Sequence, residues 1–184
     1  MTNRLQWGTR IAAAALLLAG PVAVQAAEKS GMATGEHAFF EEAASGGQME
    51  VELGRVATTH ASNQRVKDFG QRMVTDHSKA NAELKSLAAR KNVTLPGKLS
   101  AEDQKQVDRL AGMKGADFDR AYMQMMVDDH EKDVAKFREK AQSATDPDVK
   151  TFASKTLPTL ESHLRMAKEV ESATKSPTAG AREH

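Results

Sequence analysis

The sequence predicts an all-α fold: a four-helix bundle whose two helical hairpins are joined by a long crossover containing a short extra helix. Three observations predict it. Apolar residues recur at three- and four-residue spacing through four long stretches, with almost no period-two alternation. Glycine and proline gather where those stretches end. The breaks inside the first and last pairs of stretches suit only antiparallel hairpins, whereas the link between the pairs is long enough to travel back along a neighbouring helix.

Residues 1–26 are not expected to belong to the bundle. Arg4 and Arg10 precede or open the apolar run Ile11–Ala26, which ends in small residues and offers cleavage before Ala27, the pattern of a secretory signal peptide. The run is short and proline-interrupted for a membrane span, so the mature chain is expected to be exported to the periplasm with no transmembrane segment, free or associated with the outer membrane. Residues 27–37 read as a flexible arm and 174–184, with Pro177 and Gly180, as a disordered tail, which leaves 38–173 for the bundle.

Within it a first helix is expected over 38–60 and a second over 63–91, with Asn63 as its N-cap. Pro96-Gly97 breaks the second, and Ser100 with Asp103 three residues on opens a short helix ending near Gly112. A long helix follows over 118–143, and Asp146-Pro147, an N-cap followed by proline at the first helical position, starts the last, to about 173. Pro158 lies inside that helix and should bend it, freeing the carbonyl of Ser154.

Composition narrows the function. Of 184 residues, 40% are hydrophobic and 28% charged, enough for a packed core and too apolar for wholesale disorder. The absence of cysteine excludes disulfides, thiolate metal sites, cysteine nucleophiles and iron–sulfur clusters. Lys and Arg number 26 against 25 Asp and Glu, and aromatics make up 4%, so neither the basic stripe nor the stacking platform of a nucleic-acid partner is present. An envelope component or a second copy of the chain remain as partners. No G-x-S-x-G, P-loop or H-E-x-x-H motif singles out a catalytic residue, so an enzyme is not the expected class.

The pattern M-V-x-D-H-x-K occurs twice, at Met73–Lys79 and at Met126–Lys132, and continues upstream with Gln71 opposite Gln124 and Phe69 opposite Tyr122. Two non-adjacent helices with this much in common suggest a pseudo-symmetric bundle. Each long helix also places one ligand-capable side chain in the middle of its apolar stripe. Glu50 stands between Gly46 and Leu53, His77 between Met73 and Ala80, His130 between Met126 and Val134, and His163 between Leu160 and Ala167. Counted from the two hairpin turns at about 1.5 Å per residue, the four lie within about one turn of the same level.

Three imidazoles and a carboxylate at mid-bundle support two readings. One is a single transition-metal site, with Glu50, His77, His130 and His163 as ligands and a Zn or Cu ion preferred by the nitrogen-rich set. The other is a metal-free buried network fixing helix register in a structural envelope protein. Asp76 and Asp129 each precede a histidine and are candidate acceptors behind the imidazoles. Met73 and Met126, one turn before their histidines, are core fillers or soft ligands. His37, His60 and His184 sit outside the stripe, and Glu131 to Lys140 reads as a solvated face.

The stretches EVELGRVATTHASNQRVKDFGQRMVTDH, NVTLP, FDRAYMQMMVDDH and LPTLESHLRMA resemble the exported, ferritin-like helical family called domain of unknown function 4142, from roughly Phe39 to Val170. The resemblance implies a ferritin-like bundle and an exported location, and supplies no activity. It also brings out a departure. Di-iron ferritins place a glutamate three residues before a ligand histidine. Here Val74, Val127 and Leu160 stand three before His77, His130 and His163, so a two-iron oxidase is not expected.

Overall fold

The computed structural model describes residues 33–175, so the expected signal peptide and most of the expected tail lie outside the described residues. Five helices follow in order: α1 Thr34–His60, α2 Gln64–Arg90, α3 Ala101–Ala111, α4 Gly115–Ser143 and α5 Pro147–Lys175. No strand occurs among the described residues.

The expected stop and start signals do their work. Asn63 accepts the Arg65 N–H at 2.9 Å, Ser100 accepts that of Asp103 at 3.1 Å, and Asp146 accepts that of Asp148 at 2.8 Å. Asn92, just past α2, takes a left-handed φ of 54°. Three boundaries differ, one of them the start of α4 at Gly115 in place of the expected 118. α1 begins at Thr34, inside the expected arm, because Glu36 in its first turn is buried against the far end of α4. α5 continues through Thr174 and Lys175 of the expected tail, where Lys175 pairs with Glu171 one turn back at 2.6 Å. α5 also runs unbroken through Pro158, whose exposed position leaves the displaced carbonyl on the water side.

The helix directions follow from which ends meet. At one end, Glu36 Oε1 of α1 accepts the amides of Thr145 at 2.6 Å and Asp146 at 3.0 Å, and Lys91 just past α2 binds Asp146 and Asp148 at 2.7 Å. At the other, the Asp119 carboxylate near the start of α4 accepts the amides of Ser62 at 3.1 Å and Asn63 at 3.0 Å, and the Ser62 hydroxyl. His60 Nδ1 lies 2.9 Å from the Met113 carbonyl. α2 and α4 therefore run in the same direction, and residues 91–114 return along the molecule with α3 packed on α1. Each hairpin lends one buried carboxylate to the other's turn, and these amides have no helical partner of their own.

α1 packs against α2 and α4 against α5, with α2 touching α5 and α1 touching α4 more lightly. α2 and α4 thus sit diagonally, and residues equivalent in the repeated motif face each other: Phe69 and Tyr122 with ring centroids 6.2 Å apart, His77 and His130 with 5.6 Å. A pseudo-twofold axis along the bundle accounts for the echo. α1 and α2 come closest at Gly54 and Gly70, where a Cβ on Gly70 would stand 2.6 Å from Ala57 Cβ and 2.8 Å from the Gly54 carbonyl oxygen.

The apolar core is split. One cluster gathers Met49, Leu53, Phe69, Met73, Tyr122 and Met126; the other gathers Phe39, Phe40, Leu84, Phe137, Phe152 and Leu160. Between them lies a layer of buried polar side chains: Glu50 at 1% exposure, His77 at 5%, His130 and His163 at 0%.

Candidate metal centre

Burial of these four groups is imposed by the stripes that carry them: each occupies the position at which its helix turns its apolar face inward. The three imidazoles form a near-equilateral triangle, with centroid separations of 5.6 Å for His77–His130 and 5.3 Å for both pairs with His163. One ring nitrogen from each lies within 4.8 Å of the other two.

Each ring's outer surroundings fix what its inner nitrogen can be. His130 Nδ1 lies 2.9 Å from the Met126 carbonyl, which can only accept, so Nδ1 carries the proton and Nε2 a lone pair. His163 Nε2 lies 2.8 Å from Asp76 Oδ2, a half-exposed carboxylate held by Arg72 at 3.3 Å, so Nε2 donates and Nδ1 carries the lone pair. The two lone-pair nitrogens, His130 Nε2 and His163 Nδ1, then face each other at 3.3 Å. A proton between them would resolve the clash, but burial pushes both imidazoles down to about 4, so they are neutral at pH 7. A cation held between them would resolve it. Nitrogens bound at about 2.0–2.1 Å to a tetrahedral ion stand about 3.3–3.4 Å apart, the spacing found here.

His77 completes the triangle. Its Nε2 is buried without a partner, and burial pushes this ring down to about 4 as well. Its Nδ1 is 2.8 Å from Glu50 Oε2. Glu50 lies on the outer side of this trio. Its Oε1 is 3.5 Å from His130 Nδ1, the nitrogen already turned to Met126. The structure therefore brings all four expected residues into one layer, with the histidines converging and Glu50 behind two of them.

The flanking expectations divide. Asp76 accepts from an imidazole. Asp129 does not: it pairs with Lys132 at 3.4 Å and leaves Oδ2 buried without a partner. The pseudo-twofold explains the difference. Where Asp76 faces His163 on α5, Asp129 faces α1, which carries Glu50 in place of a histidine, and the two carboxylates repel. Met73 and Met126 lie in the apolar cluster, and the Met126 contact with His130 is through its backbone carbonyl. Of the histidines outside the stripe, His60 hydrogen-bonds the Met113 carbonyl and His37 pairs with Glu41 at 3.6 Å.

Asp133 was hidden in a run read as a solvated face. It is half-buried, and burial together with the facing Glu50 pushes its carboxyl well up; burial pushes Glu50 up too, against the pull of His130. Its signal was available, since a residue three after His130 shares its helix face. The Tyr122 hydroxyl is buried without a partner, and burial pushes its ionisation up.

The family described as Domain of unknown function (DUF4142) matches residues 21–170. The chain belongs to this family. Among curated proteins none matches it. A solved structure titled "Crystal structure of DUF305 fragment from Deinococcus radiodurans" superposes with a TM-score of 0.67, covering 77% of this chain and 98% of that one at 13% identity. At that identity the likeness concerns the fold alone. For this DUF4142 chain the chemistry has to come from the buried layer itself. No helix among the described residues is long and apolar enough to cross a membrane.

Proposed function

We propose that this protein is an exported, ferritin-like helical bundle that binds one transition-metal ion through His77, His130 and His163, in a buffering or stress-related role in the periplasm. The observation that carries this reading is the pair of lone-pair nitrogens 3.3 Å apart at the centre of the trio, each fixed by an acceptor on its other side. Metal-binding histidines are held in this way, with the outer N–H on a carboxylate or carbonyl and the inner nitrogen on the ion. The imidazoles are neutral at pH 7 and so release no proton on binding. A nitrogen-only trio suits Zn²⁺ or copper over Mg²⁺ or Ca²⁺. Glu50 supplies the negative charge that a buried dication needs.

Elemental analysis of the protein exported from its own signal, without a polyhistidine tag, tests the proposal. About one equivalent of transition metal, lost in His77→Ala/His130→Ala/His163→Ala, is the expected result. No metal in the wild type after incubation with Zn²⁺ and copper overturns it and leaves the buried layer as a structural network.

A further inference from the structure

Glu50 has a second face. Its two carboxylate oxygens have no hydrogen-bond partner although the residue is 1% exposed, and it forms the floor of a cavity of about 520 Å³ that opens to solvent between α1, α4 and the link carrying α3. The walls are strongly one-signed: Glu41, Glu42, Asp103, Asp129 and Asp133 against Lys98 and Lys132. Lys132 pairs with Asp129 and Lys136 with Glu42, and Ser45 donates to Asp103, so the uncompensated charge of the walls rests mainly on Glu41, Asp103 and Asp133. A second, much smaller cavity of about 30 Å³ shares Glu42, Gly46, Glu50 and Asp133 with the first and reaches His77. Solvent, acidic cavity, Glu50 and the His77 ring, whose Nδ1 stands 2.8 Å from Glu50 Oε2, thus adjoin in that order. A Cβ on Gly46, which lines both cavities, would meet nothing within 4 Å, so the space is open there.

We infer that this acidic cavity is the route by which a divalent cation reaches the histidine trio, with Asp129 and Asp133 drawing it in and Glu50 passing it to His77. The inference rests on the metal-centre reading and adds the direction of access. A low-dielectric cleft lined by one sign of charge concentrates counter-ions and accelerates their capture. The opposite flank carries a cavity of about 490 Å³ beside Asp76, but Arg72, Lys79 and Lys155 line it against Asp76 and Glu83, so its charge does not favour a cation.

Stopped-flow uptake of Co²⁺, read from the visible band of the nitrogen-bound ion, tests this with the full mature chain. Asp129→Asn/Asp133→Asn is expected to slow uptake by about tenfold or more at low salt while reaching the wild-type amplitude, and the wild-type rate should fall as ionic strength rises. Gly46→Leu plugs the passage without changing charge or ligands and is expected to slow uptake at both salt concentrations. A wild-type rate in both variants overturns the route and leaves the metal centre standing. Loss of amplitude together with rate in the Asn variant makes those carboxylates ligands and also overturns it. No Co²⁺ band in the wild type overturns the centre and the route together.

Discussion

Asp76 and Asp129 occupy the same place in the repeated motif, but only Asp76 touches an imidazole, and this difference makes the sharpest test of the metal centre. Asp76→Ala removes the acceptor 2.8 Å from His163 Nε2. A hydrogen bond to a charged acceptor contributes about 1.5–3 kcal/mol. Asp76 is 27% exposed and shared with an exposed Arg72, so screening reduces this to about 1–2 kcal/mol. At about 1.4 kcal/mol per decade the metal affinity should fall roughly 5- to 30-fold, within the usual effect of removing a group that orients a ligand histidine. Asp76→Asn, which still offers an oxygen, should fall between wild type and Asp76→Ala. The assay is Zn²⁺ competition against a chromophoric chelator at pH 7 and equilibrium. Asp129→Asn should leave equilibrium affinity within about twofold of wild type, since Asp129 lies near the uptake route and behind no imidazole. An Asp76→Ala affinity equal to wild type would refute the reasoning, and so would equal losses at the two aspartates, because the sequence-equivalent positions would then be equivalent in function.

Three further outcomes follow from the scaffold. Asp119→Ala leaves the amides of Ser62 and Asn63 without their acceptor, and should lower stability by about 2–4 kcal/mol, seen as a lower urea midpoint at unchanged slope. Gly70→Ala forces a methyl group to 2.6 Å from Ala57 Cβ where α1 and α2 meet, and should cost about 1–3 kcal/mol by the same measurement. Burial pushes the Glu36 carboxyl up, but hydrogen bonds from Asp146 and Thr145 outweigh it, and the net position is below its ordinary 4.5. Its contribution is therefore complete above the unfolded value and lost as pH falls through the lowered folded one. Wild type should lose stability relative to Glu36→Gln in acid titrations below about pH 4.5 and keep a constant advantage above it.

Helix number, caps and the level of Glu50, His77, His130 and His163 were legible because each depends on local spacing: a turn signal fixes an end and a 3.6-residue period fixes a face. The start of α1 was not legible, since Thr34 to His37 are helical on account of Glu36 reaching a turn more than a hundred residues away, and no local pattern records that. Asp133 was missed for a different reason. Its neighbours Glu131 and Lys132 are exposed, and a charged residue one turn from a core histidine carries the same local signature whether it faces water or a carboxylate on another helix. The unequal fates of Asp76 and Asp129 needed the helix arrangement, because only the pairing of α4 with α1 shows that the symmetry-related partner is Glu50 instead of a histidine.

The buried layer also separates the two accounts of the molecule by its energetics. Glu50, His77, His130 and His163 interrupt an apolar core that is continuous on both sides, and none of Glu50's oxygens or His77 Nε2 has a hydrogen bond to offset its desolvation. Exchange of such groups for apolar residues of similar volume is often neutral or stabilising by about 1–4 kcal/mol. If the layer is kept for a metal ion, Glu50→Met/His77→Leu/His130→Leu/His163→Leu should bind no metal, and should melt at or above the temperature of chelator-treated wild type while losing the wild type's rise on adding Zn²⁺. If the layer is kept to fix helix register, the same variant should lose its sharp melting transition and its resolved side-chain NMR signals, because a continuous apolar seam lets the hairpins slide. The melt decides between a core weakened for a ligand and a core specified by its own polar groups.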